Sequence, residues 1–227
     1  AWVFWRGSSN AFSEIFTKDL VNAFAITSSN KLHVNFGNGS SWDTGLNSIA
    51  SIPLNTWTHV AVTRQNGTVR MYINGVQDAA TSTMNLNGQN NSHRAIGGKL
   101  VGVSPVSASY FNGVIDEVRF WSSARTQAQI QATFNTELTG TETGLVAYFD
   151  FNQGIAGGTN TGITFVINKA NNALNGTLTN FTRTGTTSNF VANTISTLDI
   201  SGVGSVCANS TSQYTHPVSG GTWSVSN

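Results

Sequence analysis

Three neighbouring stretches decide the fold class: Trp57-Thr-His-Val-Ala-Val-Thr63, then Asn66-Gly67, then Thr68-Val-Arg-Met-Tyr-Ile73. In the third stretch apolar residues (Val, Met, Ile) occupy every second position, which is the period of a β-strand. Asn-Gly tolerates the positive φ angles of the type I′ turns that join antiparallel strands. The sequence therefore predicts a β-hairpin here, and Asn74-Gly75 predicts another tight turn directly after it.

Further short strands are predicted on both sides of this hairpin. They cover residues 2–6, 23–27, 31–36, 95–96, 113–121 and 145–151, with weaker candidates at 164–167, 176–180 and 189–191. Many short strands separated by Gly, Asn and Ser turns are typical of an all-β, two-sheet antiparallel jelly-roll sandwich. One short surface helix is also predicted, because Thr126 and Gln129 have capping-box spacing and Ile130 and Phe134 share a helix face.

Composition excludes several classes of function. Of the 227 residues 39% are hydrophobic, enough for a core, but only 9% are charged. The formal net charge is +1, from 11 basic against 10 acidic residues, which argues against a nucleic-acid partner. No apolar run approaches the roughly 20 residues of a membrane span, so no membrane insertion is predicted. The single cysteine, Cys207, excludes a disulfide framework.

A change of composition near residue 193 predicts a domain boundary. We expect a first domain over residues 1–194 and a second piece over residues 195–227. Since about 30 residues cannot bury an independent core, the second piece is predicted to be the truncated start of a domain. The chain begins within the apparent strand Ala1-Trp-Val-Phe-Trp5 and ends after another, so we expect it to be part of a longer polypeptide.

Four blocks, in this order, carry a family resemblance: Asn55-Thr-Trp-Thr-His-Val-Ala-Val-Thr63, Val69-Arg-Met-Tyr-Ile-Asn-Gly75, Ile96-Gly-Gly98 and Phe111-Asn-Gly-Val-Ile-Asp-Glu-Val-Arg-Phe-Trp121. They resemble the laminin G-like, concanavalin A-like jelly-roll domains of bacterial surface proteins. Shorter matches continue to about residue 192. The resemblance implies that residues 1–194 form such a domain, without the strand that usually opens it.

The end of the chain resembles a different family. Val206-Cys-Ala-Asn-Ser-Thr-Ser-Gln-Tyr214 and Gly220-Gly-Thr-Trp-Ser-Val225 are similar to the opening strands of a bacterial Ig-like repeat. Together the two resemblances imply a long modular protein, secreted or on the cell surface, in which this chain has neighbouring domains.

Asp116 is a candidate metal ligand. Simple alternation along the strand 113–121 places it on one face with Val114, Val118 and Phe120, where an unpaired carboxylate is costly. The family resemblance implies a structural Ca²⁺ at the rim of the sandwich, with Asp116 as a possible ligand. Alternatively, Asp116 accepts hydrogen bonds from loop amides or pairs with an arginine.

Catalysis is not predicted. Jelly-roll glycosidases of similar fold place their carboxylates two or more positions apart on one strand, so that they point into the cleft together. No such spacing occurs in this sequence, and alternation predicts that the adjacent Asp116 and Glu117 face opposite sides. The four histidines show no metal-ligand spacing.

Trp42 is the best candidate for contact with a ligand. It lies in the polar, Gly-rich loop 37–45, where an exposed aromatic ring can stack on a sugar while Asp43 and Asn38 bond its hydroxyl groups. Alternatively, Trp42 packs back onto the sandwich as a lid. Tyr110, next to the loop 101–109, is a second and weaker candidate.

The sequence thus favours a non-catalytic binding module of an adhesin-like extracellular protein that contacts glycan or another cell's surface. Two alternatives stay open. The domain could be a structural spacer in a long surface protein, or an accessory carbohydrate-binding module of a polysaccharide-degrading enzyme.

Overall fold

The computed structural model describes residues 1–101, 104–105 and 109–192, and residues 1–192 belong to one compact unit. The predicted second piece, residues 195–227, lies outside the described residues and stays a prediction. The strands are β1 (Trp2–Trp5), β2 (Phe12–Lys18), β3 (Asn22–Thr27), β4 (Lys31–Phe36), β5 (Leu46–Ser51), β6 (Trp57–Gln65), β7 (Thr68–Ile73), β8 (Val76–Thr83), β9 (Arg94–Ile96), β10 (Leu100–Val101), β11 (Ser104–Pro105), β12 (Gly113–Asp116), β13 (Val118–Trp121), β14 (Leu145–Phe149), β15 (Phe165–Val166) and β16 (Gly176–Thr177). A short α-helix, α1 (Gln127–Gln131), and a 3₁₀-helix (Asn172–Leu174) complete the described elements.

Two five-stranded sheets dominate the architecture. The first sheet has the order β12-β1-β6-β7-β8, and the second sheet has the order β5-β4-β3-β2-β9. All of their strand pairs are antiparallel. The predicted two-sheet jelly-roll sandwich is confirmed. No helix among the described residues is both long and apolar enough to cross a membrane.

The hairpin that decides the fold class forms as predicted. β6 and β7 pair from Val60↔Ile73 to Gln65↔Thr68, and Asn66 and Gly67 take φ angles of 50° and 79° between them. Positive φ at both central residues is the requirement of a type I′ turn. Because this turn sets the register, it places Val60 of β6 and both Val69 and Met71 of β7 in the core.

The core lies between the two sheets and draws on alternate residues of each. A second cluster packs beneath the small sheets β13–β14 and β15–β16. The fully or nearly fully buried members of the main core are Val3, Trp5, Ile15, Phe24, Ile26, Leu32, Val34, Ile52, Val60, Val69, Met71 and Met84, and those of the second are Val118, Phe149, Val166 and Phe190.

Two strands of the second sheet were not predicted, and one predicted strand is absent. β2 was not predicted because its apolar residues do not alternate. Its register shifts between Glu14 and Phe16, so that Ile15 and Phe16 both contact the core. β5 carries an isoleucine, Ile49, that is 65% exposed, so it lacks a clear apolar face. The weak prediction at 189–191 is wrong, because Phe190 packs in the second cluster without a strand around it.

The predicted strand 113–121 is divided at Glu117, which has a φ of 54°. This left-handed residue separates β12 from β13 and interrupts the alternation of side chains. The prediction that Asp116 shares a strand face with Val118 and Phe120 is therefore wrong. The predicted helix is confirmed together with its capping box, in which the side chains of Thr126 and Gln129 bond each other's backbone amides.

Candidate ligand-binding face

The second sheet turns one face toward the core and the other away from it. Phe24 and Ile26 of β3 pack into the core, so Ala23 and Ala25 between them point away. On that side, two rungs of the sheet each join a polar residue of β2, an alanine of β3 and a polar residue of β4: Glu14–Ala25–His33 and Thr17–Ala23–Asn35. We call the surface formed by these six residues the polar face.

The loop 37–45 lies close to one side of the polar face. A Cβ atom at Gly45 would stand 2.5 Å from His33 Cε1 and 3.4 Å from Asn35 Nδ2, and Gly45 has a φ of 69°. Only glycine combines that conformation with so close an approach. The loop also carries Trp42, which is half-buried and forms a backbone bridge with Gly37.

A second segment reaches the polar face from the opposite edge of the sheet. The carbonyl oxygen of Gly98 accepts a hydrogen bond from Thr17 Oγ1 at 2.6 Å. The next residue, Lys99, places its Nζ 2.9 Å from Asp19 Oδ1 and 6.0 Å from the centroid of the Trp42 ring. Lys99 thus links the edge of the sheet to the loop that carries Trp42.

Glu14 is the buried carboxyl group of the polar face. It is 5% exposed, and burial raises its pKa to about 8, while Lys99 lowers and Asp19 raises the pKa by smaller amounts. Glu14 is therefore mostly protonated and neutral at pH 7. Loss of solvation outweighs the attraction of the ammonium group because Lys99 is already paired with Asp19.

Several buried oxygen atoms on or beside the polar face have no hydrogen-bond partner among the described residues. They are Glu14 Oε2, Asn35 Oδ1 and Asp43 Oδ2. Buried polar atoms in folded proteins almost always find a partner, because leaving one unsatisfied costs roughly 1–3 kcal/mol. The polar face thus holds buried acceptor atoms that the described residues leave unsatisfied.

Aromatic rings accompany these polar atoms. Phe12 of β2 is 41% exposed, and its ring centroid lies 4.6 Å from that of His33. The Nδ1 atom of His33 is 2.7 Å from Asn47 Oδ1, and burial lowers the pKa of His33, so the imidazole is neutral at pH 7. Phe12 and Trp42 therefore offer an apolar ring surface beside an uncharged polar region.

The structure brings two of the four predicted ligand-contact residues to this face. Trp42 and Asp43 lie in the loop beside it, and Asp43 Oδ1 accepts the amides of Phe36 and Gly45 at 3.3 and 3.0 Å. Asn38 lies in the same loop, but its Oδ1 already accepts the Ser40 and Ser41 amides.

The fourth predicted residue, Tyr110, is directed elsewhere. Its ring packs against Gly98, and its hydroxyl accepts a bond from Asn180 Nδ2 at 3.0 Å. None of these contacts tests binding, so the roles assigned to the four residues stay predictions. The sequence did not predict that Phe12, Glu14, His33, Asn35 and Lys99 would lie on or beside this face. The one local sign of it in the sequence was a charged residue, Glu14, within the otherwise mainly apolar stretch Phe-Ser-Glu-Ile-Phe.

The predicted metal ligand, Asp116, lies on the other sheet, in a rung with Trp2 and His59. It is 8% exposed, and its Oδ1 accepts the Glu117 amide at 2.9 Å. Burial is the main reason that the pKa of Asp116 is raised to about 7. The hydrogen bond from the Glu117 amide lowers the pKa by less, and nearby carboxylates, Glu117 first, raise it further.

The carboxylates around Asp116 are engaged within the protein. Glu117 accepts the Tyr148 hydroxyl at 2.8 and 2.9 Å and pairs with Arg119, and Asp150 pairs with Lys169. No group of three or more His, Cys, Asp or Glu side chains within the described part of the chain is arranged to hold a metal ion. This donor set fits internal pairing better than it fits calcium, which prefers six to eight free oxygen ligands.

Comparison with known proteins gives a family and a fold. The Laminin_G_3 family, described as the concanavalin A-like lectin/glucanases superfamily, matches residues 1–131. Curated protein sequences give no match. A structure of a candidate carbohydrate-binding protein from Bacteroides ovatus is similar with a TM-score of 0.59 and 21% identity, over 78% of this chain and 50% of that one. The chain therefore spans half the length of that structure, and the likeness concerns the fold.

Two further structures have lower TM-scores. Domain 4 of AbnA, an extracellular arabinanase of Geobacillus stearothermophilus in complex with arabinotriose, has a TM-score of 0.43 and 26% identity, over 58% of this chain and 62% of that one. The heptameric SAP-like pentraxin of Limulus polyphemus has a TM-score of 0.42 and 19% identity, over 57% of this chain and 65% of that one. With its two-sheet sandwich and a match over more than half its length, the chain belongs to the Laminin_G_3 family of the concanavalin A-like lectin/glucanases superfamily.

Proposed function

We propose that this chain is a non-catalytic carbohydrate-binding module and that the polar face is its binding site. The observation that carries the proposal is the set of buried oxygens of Glu14, Asn35 and Asp43 without partners, beside the rings of Phe12 and Trp42. A site of this kind combines a few directed polar groups with aromatic surface, as small-molecule sites in proteins do.

Carbohydrate matches both halves of this arrangement. Sugar hydroxyl groups donate the hydrogen bonds that the buried oxygens lack, and the C–H face of a sugar ring stacks on an aromatic side chain. The charges favour a neutral ligand, because Glu14 is protonated at pH 7 and Lys99 is paired with Asp19.

The contacts of the acidic residues support binding without catalysis. Glycoside hydrolysis uses two carboxyl groups at a defined separation, one as acid and one as base or nucleophile. Asp19, the carboxylate that raises the pKa of Glu14, is paired with Lys99. The carboxylate nearest in its effect on Glu14 is thus engaged in an ion pair, and we expect no hydrolysis of oligosaccharides by this chain.

We further propose that the module works outside the cell, attached to other domains of a longer surface or secreted protein. Membership of a lectin-like superfamily and the low net charge are consistent with this setting. In an adhesin, weak binding at each site would be strengthened by several copies. In a polysaccharide-degrading enzyme, the same module would hold the substrate near a catalytic domain.

The proposal is tested on an array of neutral oligosaccharides at pH 7, followed by calorimetry on each sugar that binds. Phe12→Ala and Trp42→Ala are each expected to weaken binding at least tenfold, equivalent to about 1.4 kcal/mol. Phe165→Ala is the matched control, because Phe165 is 47% exposed but lies on β15. If no sugar binds, or if both variants bind like the control, the proposal is wrong and the spacer function is favoured.

A further inference from the structure

Four large apolar side chains are exposed around the small sheet β15–β16. Each of them is between 41% and 68% exposed, and they are Ile155, Phe165, Ile167 and Leu174. We call the surface that they form the apolar patch. All four residues follow residue 131, so the apolar patch lies outside the part of the chain that matches the Laminin_G_3 family.

The backbone brings three of these residues to one surface. Val166 packs in the second cluster, so its neighbours Phe165 and Ile167 turn to the opposite, outward side of β15. Asn168, next to Ile167, donates from its Nδ2 atom to the carbonyl oxygen of Leu174 at 3.4 Å. Single exposed apolar residues are ordinary on a protein surface, whereas adjacent ones that form a patch mark a site of contact.

The edge of β15 that faces away from β16 is closed to strand addition. Gln153 donates from Nε2 to the Phe165 carbonyl oxygen at 2.8 Å and accepts the Ile167 amide on Oε1 at 2.9 Å. Its side chain therefore takes the hydrogen bonds that a further strand would need. The same two bonds bring Ile155, two residues after Gln153, close to Phe165 and Ile167. An occupant of the apolar patch must bind through its side chains.

The chain around the apolar patch carries almost no charge. Residues 152–182 include a single charged residue, Lys169, although 9% of the whole chain is charged. Lys169 is paired with Asp150, and the next cation, Arg183, donates to the Thr161 and Ile163 carbonyl oxygens. A charged partner would lose its hydration here with little compensation. The surface thus fits a neutral, apolar partner, and a second copy of the apolar patch is such a partner.

The area of the apolar patch is sufficient for a weak dimer. With about 200 Å² for each large side chain, the exposed fractions amount to roughly 400 Å² on one copy. Two copies in contact would bury roughly 800 Å² of apolar surface, and apolar atoms make up about 60% of an interface. The whole contact would thus be roughly 1,300 Å², at the lower end of specific protein interfaces.

We infer that the apolar patch binds the same patch on a second copy of this chain and forms a two-fold symmetric dimer. In such a dimer one surface serves both subunits, so a neutral patch meets no like charge when its apolar side chains leave water. The inference is independent of sugar binding, because no residue of the apolar patch belongs to the polar face. The dimer would carry two polar faces and so allow bivalent binding.

The test is the oligomeric state of the full chain, measured by sedimentation velocity over a range of concentrations. We expect a reversible dimer with a Kd of roughly 10–100 µM, because the interface is small. Ile155→Asp and Leu174→Asp should each raise the Kd at least about tenfold, since the dimer would bury unpaired carboxylates. Val76→Asp is the matched control, because Val76 is 60% exposed but lies on β8, and it should dimerise like wild type.

Every outcome decides for or against the dimer. The inference is overturned if the full chain stays monomeric at millimolar concentration, and an occupant other than a second copy would then be favoured. It is also overturned if both patch variants dimerise like wild type, or if Val76→Asp weakens the dimer as much as they do. Thermal melts check folding, and if one patch variant fails to fold, the other decides. Calorimetry should give both patch variants the wild-type affinity for each sugar that binds, so sugar binding is scored separately.

Discussion

Asp116 accepts a hydrogen bond from the backbone amide of Glu117, the residue that follows it, and Glu117 has a left-handed backbone with a φ of 54°. The left-handed residue separates β12 from β13 and lets two adjacent carboxyl groups lie near each other, so that Glu117 contributes to the raised pKa of Asp116. Strict alternation would have kept the two apart.

The pKa of Asp116 gives a stability profile with a definite sign. Its folded value of about 7 is above the model-peptide value of 3.8, so the folded state holds a proton that the unfolded state has lost. Stability contributed by this group therefore falls as the pH rises from about 4 to 7 and then levels off. Asp116→Asn should raise the Tm relative to wild type at pH 8 and have little effect at pH 4, as measured by thermal melts.

The same melts test the calcium prediction. Because the carboxylates around Asp116 pair with Arg119 and Lys169, we expect a chelator to leave the wild-type Tm unchanged. A ligand that binds only the folded state raises its stability by mass action. A fall in Tm on adding EDTA that disappears in Asp116→Asn would instead make Asp116 a calcium ligand.

Replacing Glu14 or Glu142 by glutamine should change the stability of the protein in opposite directions at neutral pH. Burial raises the pKa of Glu14 to about 8, so Glu14→Gln should stabilise the protein increasingly as the pH rises from about 4.5 to 8. Desolvation alone would raise the pKa of Glu142, but hydrogen bonds from Thr139 and Gly140 together outweigh it, so the pKa is lowered. Glu142→Gln should therefore destabilise at neutral pH, with a loss that shrinks in acid. Equal responses of the two variants would contradict the assignment.

Tyr148→Phe should cost about 2 kcal/mol of unfolding free energy, because its buried hydroxyl donates to the Glu117 carboxylate and accepts the Leu138 amide. Tyr110→Phe is the matched control. Its hydroxyl is also hydrogen-bonded, to Asn180 alone, but the residue is 39% exposed, so a change within 0.5 kcal/mol is expected. Urea denaturation of both variants measures the difference.

Gly67→Ala should destabilise the central hairpin by about 1–2 kcal/mol, because a left-handed conformation is strained for alanine. Gly67 has a φ of 79°, and an added Cβ would lie 2.4 Å from Asn85 Oδ1. Gly162→Ala is the control, since nothing lies within 4 Å of its Cβ position. Comparable losses in the two variants would show that the turn does not limit stability.

The sequence by itself determined those features that depend on neighbouring residues. The alternation in Thr68–Ile73, the Asn66-Gly67 turn and the Thr126 capping box are local, and each appears in the structure as predicted. Short strands with glycine-rich turns were also enough to predict a two-sheet sandwich. Irregular stretches were not predictable in this way, since the register shift after Glu14 and the left-handed Glu117 both break the period of two.

Only the tertiary structure decided which residues form the polar face. Glu14 and His33 are 19 positions apart in sequence, yet both stand beside Ala25, because β3 pairs with β2 on one side and with β4 on the other. Lys99 joins them only because its segment leaves the sheet edge toward Trp42. Strand order and register are set by burial summed over the whole sandwich, so no local pattern reveals which polar side chains will meet on its outer face.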